Sequence, residues 1–195
     1  SCRLDTYRVD RNEIGKPSGL WQMMQEAASN QMEAQKPSYT DLVDAGQALM
    51  LARVDLAIPE QIGLKEALVS SSWPCPSTRV DFGNYWMGDY QELIHEKFRI
   101  DKETLTAMQT VGQKEVRYSD LDYNGHMNNT YYLDVLCDYV PELAAGTHRV
   151  SFVRVHYSKE APLGDVLTIL RSDAILLREA DAAQYGVPAD RKYIF

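Results

Sequence analysis

Cysteine is scarce in this chain of 195 residues: Cys2, Cys75 and Cys137 stand far apart and show no C-x-x-C spacing. That excludes a disulfide framework of the small secreted kind and a structural zinc site, and it points to a reducing compartment. Long apolar runs are missing too. No stretch approaches the ~18 residues of a membrane span, and the mean hydropathy is −0.38, so no membrane insertion is expected. Basic side chains are outnumbered, 20 Lys and Arg against 28 Asp and Glu, for a formal charge of −8. No Lys/Arg cluster offsets that excess, which argues against nucleic acid as a partner, because phosphate binding needs a local cationic surplus. The chain opens Ser1-Cys2 with no signal or transit pattern, and the expected setting is the bacterial cytoplasm.

What the chain does have is ordinary globular composition, 45% hydrophobic and 25% charged, at a length that suits one domain or two small ones. The alternating stretch Leu4 to Val9 predicts a strand, and Gly15-Lys16-Pro17-Ser18-Gly19 a break. Leu20, Met23, Met24, Ala27, Ala28 and Met32 then recur at helical spacing. Those methionines read as core filling. From Ala48 the pattern changes to strand-like runs, Leu49 to Ile58, Glu66 to Trp73, Thr78 to Tyr85 and Gln91 to Ile100. A helix followed by closely spaced strands predicts an antiparallel sheet with one covering helix, an α+β layout.

The second half repeats that plan. Glu115 to Tyr118 predicts a short strand and Asp120 to Asn129 a polar turn. Tyr131, Tyr132, Val135, Leu136, Tyr139 and Val140 mark a second helix, stopped by Pro141. Strands follow at Arg149 to Tyr157 and Asp165 to Leu170. Laid over each other at an offset of 110, the two openings match Asp10 with Asp120, Gly15 with Gly125 and Trp21 with Tyr131. An internal duplication leaves such a trace. At that offset Asn12, Ile14 and Lys16 face Asp122, Asn124 and His126, so one copy alone carries the reactive groups.

Chemistry concentrates in Asp122-Tyr123-Asn124-Gly125-His126-Met127-Asn128-Asn129. Asp122, Asn124 and His126 alternate, and an extended chain would present all three on one face. Gly125 allows a bend or close approach to a ligand, and Asn128 or Asn129 suits the N-cap of the following helix. A carboxylate, an amide and an imidazole would then gather at a helix N-terminus, where free N–H groups favour developing negative charge. Asp, Asn and Gly are also the residues of any strand-to-helix turn, so the bare pattern leaves a structural role open and names no substrate.

Asp122 through Asn129, followed by Tyr132, resembles the D-x-N-x-H-V-N-N-x-x-Y signature of the acyl-acyl carrier protein (acyl-ACP) thioesterases, and Tyr157-Ser158-Lys159-Glu160 resembles that family's Tyr-x-x-Glu element. The resemblance implies a tandem, or double, hotdog: two curved antiparallel sheets, each wrapped around a central helix. It places an N-terminal hotdog at residues 1–112, forming the acyl pocket without catalysis, and a catalytic hotdog at 113–195. It implies hydrolysis of fatty acyl-ACP in fatty acid biosynthesis, with acyl carrier protein as partner and no cofactor or metal. Asp122, Asn124, His126 and Glu160 carry over as the catalytic set, with Gly125, Asn128, Asn129, Met23 and Met24 as substrate-binding residues. Oligomeric state stays open, a homodimer included.

The preferred chemistry has Glu160 or Asp122 orient water as general base, Asn124 and helix amides hold the oxyanion, and His126 position or shuttle a proton. Direct attack by Asp122 to give an anhydride competes with it. Ala161 stands where some members of that family carry Cys, so a Cys–His mechanism has no nucleophile there. Cys137 lies on an apolar helical stripe, where a buried, inert thiol is expected. Two other readings remain: a single-hotdog acyl-CoA thioesterase using Asp122, and a non-catalytic acyl-binding hotdog module.

Overall fold

The computed structural model describes residues 2–47, 51–72 and 99–195. In chain order the elements are β1 (Cys2–Arg3), α1 (Pro17–Glu33), α2 (Tyr39–Asp44), β2 (Arg53–Ala57), β3 (Ala67–Leu68), α3 (Lys102–Ala107) and β4 (Gln109–Glu115). A 3₁₀ turn (Tyr118–Asp120) leads to α4 (Tyr131–Asp138), α5 (Pro141–Ala145), β5 (Phe152–His156), β6 (Val166–Arg171), β7 (Ile175–Leu176), α6 (Glu179–Ala183) and β8 (Arg191–Lys192). The layout is mixed α and β with antiparallel pairing. Among the described residues the strands form four two-stranded sheets, β1–β3, β2–β5, β4–β6 and β7–β8.

Local chemistry explains where sequence and structure part. The strand expected over Leu4 to Val9 is not formed and β1 stops at Arg3, because Asp5 folds the next residues into a turn: its carbonyl accepts from Arg8 N and its carboxylate from Tyr7 N. Pro17 and Ser18 do not break the chain but open α1, since Pro at the first helical position forgoes an N–H that has no partner there. Pro141 likewise starts α5 rather than merely ending α4. The strand expected at Glu115 to Tyr118 instead ends at Glu115, and the 3₁₀ turn follows. Asp120 holds that turn through Arg117 N at 2.7 Å and Lys114 Nζ at 2.5 Å. Burial pushes the Asp120 carboxyl up, but these two donors outweigh it and hold it below its ordinary 3.8. The expected run Thr78 to Tyr85, and Gln91 to Phe98 of the run that follows it, lie outside the described residues. The junction expected between 112 and 113 falls inside a strand, β4, which crosses it.

The strand pairs repeat in register. Arg3 pairs with Ala67 and Cys2 with Leu68 in the first half; Glu115 pairs with Val166 and Lys114 with Leu167 in the second. Thus β1 maps onto β4 at a separation of 112 residues, and β3 onto β6 at 99. The third pair joins the halves: β2 lies antiparallel to β5 from Arg53↔His156 to Ala57↔Phe152, and these two strands are also 99 apart. They therefore meet around a local twofold axis, at which Asp55 faces Arg154. The guanidinium donates to both carboxylate oxygens, at 2.8 and 2.7 Å.

The helices obey the same symmetry. Ser18 Oγ donates to Asp134 Oδ1 at 2.5 Å, while Gln22 Nε2 donates to Thr130 Oγ1 at 3.2 Å. Ser18 and Thr130 are 112 apart, as are Gln22 and Asp134, so each helix start is tied to the other helix. Both hydroxyls are buried, and these bonds remove the cost of leaving them unpaired. Around them lies a core of Leu4, Leu20, Trp21, Val54, Leu56 and Ile58 joined by Leu133 from the second half. Each fully buried side chain of that size contributes about 1.5–3 kcal/mol, so the two halves share one apolar centre. Met23 and Met24 pack against it as the sequence predicts, as does Tyr157. A second cluster, Val116, Met127 and Ala161, sits beneath the Asp122 turn and packs against Tyr131 and Tyr132.

Candidate active site

The segment from Asp122 to His126 is a tight hairpin, not an extended strand. Leu121 and Met127 bridge its base, Asp122 N donates to His126 O at 2.9 Å, and Gly125 N donates to Asp122 O at 3.0 Å. Asp122 Oδ1 accepts from Asn124 N at 2.8 Å and closes the turn from within. Gly125 takes φ +79°, the left-handed region that glycine enters without penalty. The expected common face of Asp122, Asn124 and His126 is therefore not formed: Tyr123, Asn124 and Gly125 occupy the exposed tip, with Asp122 and His126 at the base.

A second segment completes the arrangement. His126 bridges Pro162, and Met127 N donates to Ala161 O at 2.8 Å. This pairing brings Glu160 to the imidazole, with His126 Nε2 3.3 Å from Glu160 Oε2. Both groups are open to solvent, at 32% and 54% exposure, so the pair can meet water and a ligand. The structure thus unites His126 with Glu160 and puts Asp122 on the same turn, while Asn124 stands apart at the tip.

Behind the turn, Asn128 rather than Asn129 organises the start of α4. Its Oδ1 accepts from Thr130 N at 2.9 Å and Thr130 Oγ1 at 2.8 Å, and its carbonyl accepts from Tyr131 N at 3.0 Å. Two of the amides expected to serve an oxyanion are therefore already used. Asn129 O accepts from Tyr157 Oη at 2.7 Å, whose ring meets Tyr132 edge-on with centroids 5.6 Å apart. Burial, then the neighbouring Tyr132, pushes the Tyr157 hydroxyl well above the usual tyrosine range. Asn129 Oδ1 is buried and has no hydrogen-bond partner among the described residues.

Sequence reasoning misses three contributors. Tyr39, on α2, shares a hydrogen bond with Tyr123 at 2.9 Å and so ties the first half to the hairpin tip. Nothing in the sequence signals that contact. Thr130 and Gln22 link α1 to Asn128, and a Thr two residues after an Asn at a helix start is a readable sign of such capping.

The hairpin also corrects the internal alignment. In the first half Asp10 N donates to Ile14 O at 2.7 Å, Asp10 Oδ1 accepts from Asn12 N at 2.7 Å, and Glu13 N donates to Asp10 O at 3.0 Å. Val9 bridges Gly15, Ile14 bridges Gly63, and Gly15 N donates to Ile62 O at 2.8 Å. Every one of these has its counterpart 112 residues on, or 99 on for the partner segment. Asp10 therefore corresponds to Asp122, Asn12 to Asn124, Ile14 to His126 and Gln61 to Glu160; the offset of 110 is two residues short.

Of the cysteines, Cys137 is pushed up to about 12 by burial and then by the charges of Asp134 and Asp138, which leaves a protonated, unreactive thiol. Cys75 lies outside the described residues. Among the described residues no three His, Cys, Asp or Glu side chains gather as a metal site, and no helix is long and apolar enough to cross a membrane.

Fold and site together define a mixed α/β protein with antiparallel sheets that sets a histidine of a strand-to-helix hairpin against a glutamate of a second segment. Residues 103–186 match the family model of the acyl-ACP thioesterase C-terminal domain. Over 79 residues it is 34% identical to the chloroplastic dodecanoyl-[acyl-carrier-protein] hydrolase of Cinnamomum camphora. That match takes in 40% of this chain and only 20% of the Cinnamomum protein. The fold is similar to that of an acyl-ACP thioesterase from Bacteroides thetaiotaomicron, with TM-score 0.67, 17% identity and coverage of 91% of this chain and 86% of that one. A structure provisionally named oleoyl thioesterase, from Lactobacillus plantarum, gives TM-score 0.62 and 18% identity over 91% of this chain and 84% of its own.

Proposed function

We propose that this protein hydrolyses the thioester between a fatty acyl chain and acyl carrier protein, in two hotdog units of which the second is catalytic. The observation that carries the reading is the contact of His126 with Glu160, made by two segments distant in sequence and open to solvent. Water adds its oxygen to the acyl carbon, the C–S bond breaks, and the proton from water passes through the pair to the leaving sulfur. Glu160 and His126 thus act as the acid–base pair. Asp122 shapes the turn through its bond to Asn124 N, and its other oxygen is assigned to orient the same water. The Asn124 side-chain amide at the tip would donate to the acyl carbonyl, and Asn129 Oδ1 would accept from an amide N–H of the pantetheine arm, the partner it lacks among the described residues. Gly125 and Asn128 hold these groups in place.

The unit boundary belongs before α3 rather than at 112, since β4 pairs with β6 throughout. The first unit supplies much of the acyl pocket, with Met23 and Met24 on its helix, and docking of the acidic carrier protein requires a local cationic patch. The local twofold and the shared core support this tandem arrangement over a single-hotdog acyl-CoA enzyme.

A panel of acyl-ACPs against the matching acyl-CoAs tests the substrate: kcat/KM is expected to favour acyl-ACP, and equal or reversed values refute that part of the reading. Glu160→Gln and His126→Ala are each expected to lower kcat by ~10²–10⁴ while circular dichroism stays unchanged. Folded variants with wild-type turnover would remove the site.

A further inference from the structure

We propose that the first half holds a second, silenced copy of the thioester site, built on Asp10 to Gly15 with Gln61 and disabled by two side chains. The inference rests on the reading of His126 and Glu160 as a hydrolytic pair. The backbone frame is the same in both copies. Asp10 and Asp122 each close a turn by accepting from the amide two residues on, at 2.7 and 2.8 Å. The residue four further on, Ile14 or His126, returns its carbonyl to the Asp amide and bridges the partner segment. Gly15 N and Met127 N donate to Ile62 O and Ala161 O, both at 2.8 Å, which fixes Gln61 and Glu160 one residue before those carbonyls. Exposure agrees too: Ile14 and His126 are half-buried, Gln61 and Glu160 exposed.

Between Ile14 and His126, and between Gln61 and Glu160, what differs is proton chemistry. Ile14 offers no proton donor or acceptor, and the Gln61 amide cannot ionise; its Nε2 donates instead to Val150 O at 3.4 Å. The carboxylate of the set persists as Asp10 and the tip amide as Asn12. Behind them Ser18, tied to Asp134, stands where Thr130, tied to Gln22, stands in the other copy. Ile14→His with Gln61→Glu therefore rebuilds an imidazole–carboxylate pair in a frame already shaped for it. The rebuilt pair would take the same class of substrate, an acyl thioester on a pantetheine arm, by the same balanced step: water oxygen to the acyl carbon, proton through the pair to the departing sulfur.

The test begins from His126→Asn/Glu160→Gln, in which the second-half site is off. If that parent keeps wild-type hydrolysis of an acyl-pantetheine thioester, the active-site reading fails and takes this proposal with it. If the parent is inactive, Ile14→His and Gln61→Glu are added. The expected result is hydrolysis at least tenfold above the parent that is lost again on Asp10→Asn. A folded protein with no gain, or a gain indifferent to Asp10, overturns the proposal. Should the four-site variant not fold, the same two substitutions are made on Glu160→Gln alone, and absence of a gain there overturns it equally.

Discussion

Asp10 and Asp122 do the same job for the backbone, and replacing each by alanine separates structural from chemical roles. Asp10 accepts from two amides, Asn12 N at 2.7 Å and Ile14 N at 3.1 Å, and from the Asn12 side chain at 3.4 Å. Asp122 accepts from one amide, Asn124 N at 2.8 Å. Hydrogen bonds to a charged group are worth roughly 1.5–3 kcal/mol at best, and solvent competition at both turns brings each amide down to about 1 kcal/mol: about 2 kcal/mol for Asp10→Ala and about 1 kcal/mol for Asp122→Ala. At ~2–4 °C per kcal/mol for a chain of this size, the Tm should fall by ~4–8 °C and ~2–4 °C. Activity is expected to run the other way. Asp122→Ala loses at least ~10² in kcat, whereas Asp10→Ala, assayed where both are folded, stays within about twofold of wild type. The stability cost also has a pH signature. Burial pushes the Asp10 carboxyl up, but the Ile14 and Asn12 amides, the Asn12 side chain and Arg149 outweigh it and hold it below 3.8. A lowered folded pKa means stabilisation present above pH 3.8 and lost as pH falls through the folded value. Urea titrations should therefore show the Asp10→Ala deficit in full at about pH 6 and shrinking below 3.8. Comparable kcat losses in the two variants would refute the division of labour, and a folded, active Asp122→Ala would remove Asp122 from the chemistry.

Three further outcomes follow from the geometry. Asp55 and Arg154 form a bidentate pair with only 13% and 16% exposure at the junction of the halves. Removing either partner alone should cost about 3 kcal/mol, while replacing both by methionine recovers most of it; a double-mutant cycle in urea reads the difference, and additive losses would contradict a coupled pair. Gly125→Ala forces a side chain into φ +79°, at a cost of about 1 kcal/mol, and Glu13→Gly at φ +62° should gain up to about 1 kcal/mol; opposite Tm shifts check this, and shifts of one sign refute it. Cys137, at about 12 against an ordinary 9.0, should resist iodoacetamide at about pH 8 in the folded state and react in urea, as peptide mass spectrometry reports. Because its folded pKa is raised, its contribution to stability is complete below pH 9.0 and lost between 9.0 and about 12; rapid labelling of the native protein would show the thiol to be exposed.

Much of the candidate site is legible because its residues are chemically conspicuous in kind as well as in place. His126 and Glu160, far apart in sequence, both stand out by residue type and motif, and the structure brings them within 3.3 Å. The α1 stripe is equally plain, for its apolar spacing reports the core that it meets. The strands read too long. Their true ends are set by side chains such as Asp5 and Asp120 that draw the backbone into turns, a local competition that alternation of apolar residues does not register. The conformation of Asp122 to His126 escapes the sequence for the same reason: alternating polar residues fit a strand and a closed turn alike.

The internal repeat shows why matching letters can mislead about matching geometry. At 110 the overlay gains Gly15 on Gly125, an identity that looks persuasive because glycine marks special backbone. Yet the left-handed position of the first hairpin is Glu13, at φ +62°, and its counterpart is Gly125, at φ +79°. In the partner segments Lys65, at φ +65°, likewise answers Gly164, at φ +86°. One copy holds both bends with charged residues and the other with glycine, so the conformation is kept while the residue type that advertises it is not. Asp10 on Asp120 is a second false match, joining two carboxylates that each cap a turn but different turns. Only the hydrogen bonds separate these cases. Once Asp10 is set on Asp122, the contrast between the halves narrows from the whole reactive set to Ile14 for His126 and Gln61 for Glu160. On the proposed function, the loss of those two proton-carrying side chains is what separates a half that binds from a half that reacts.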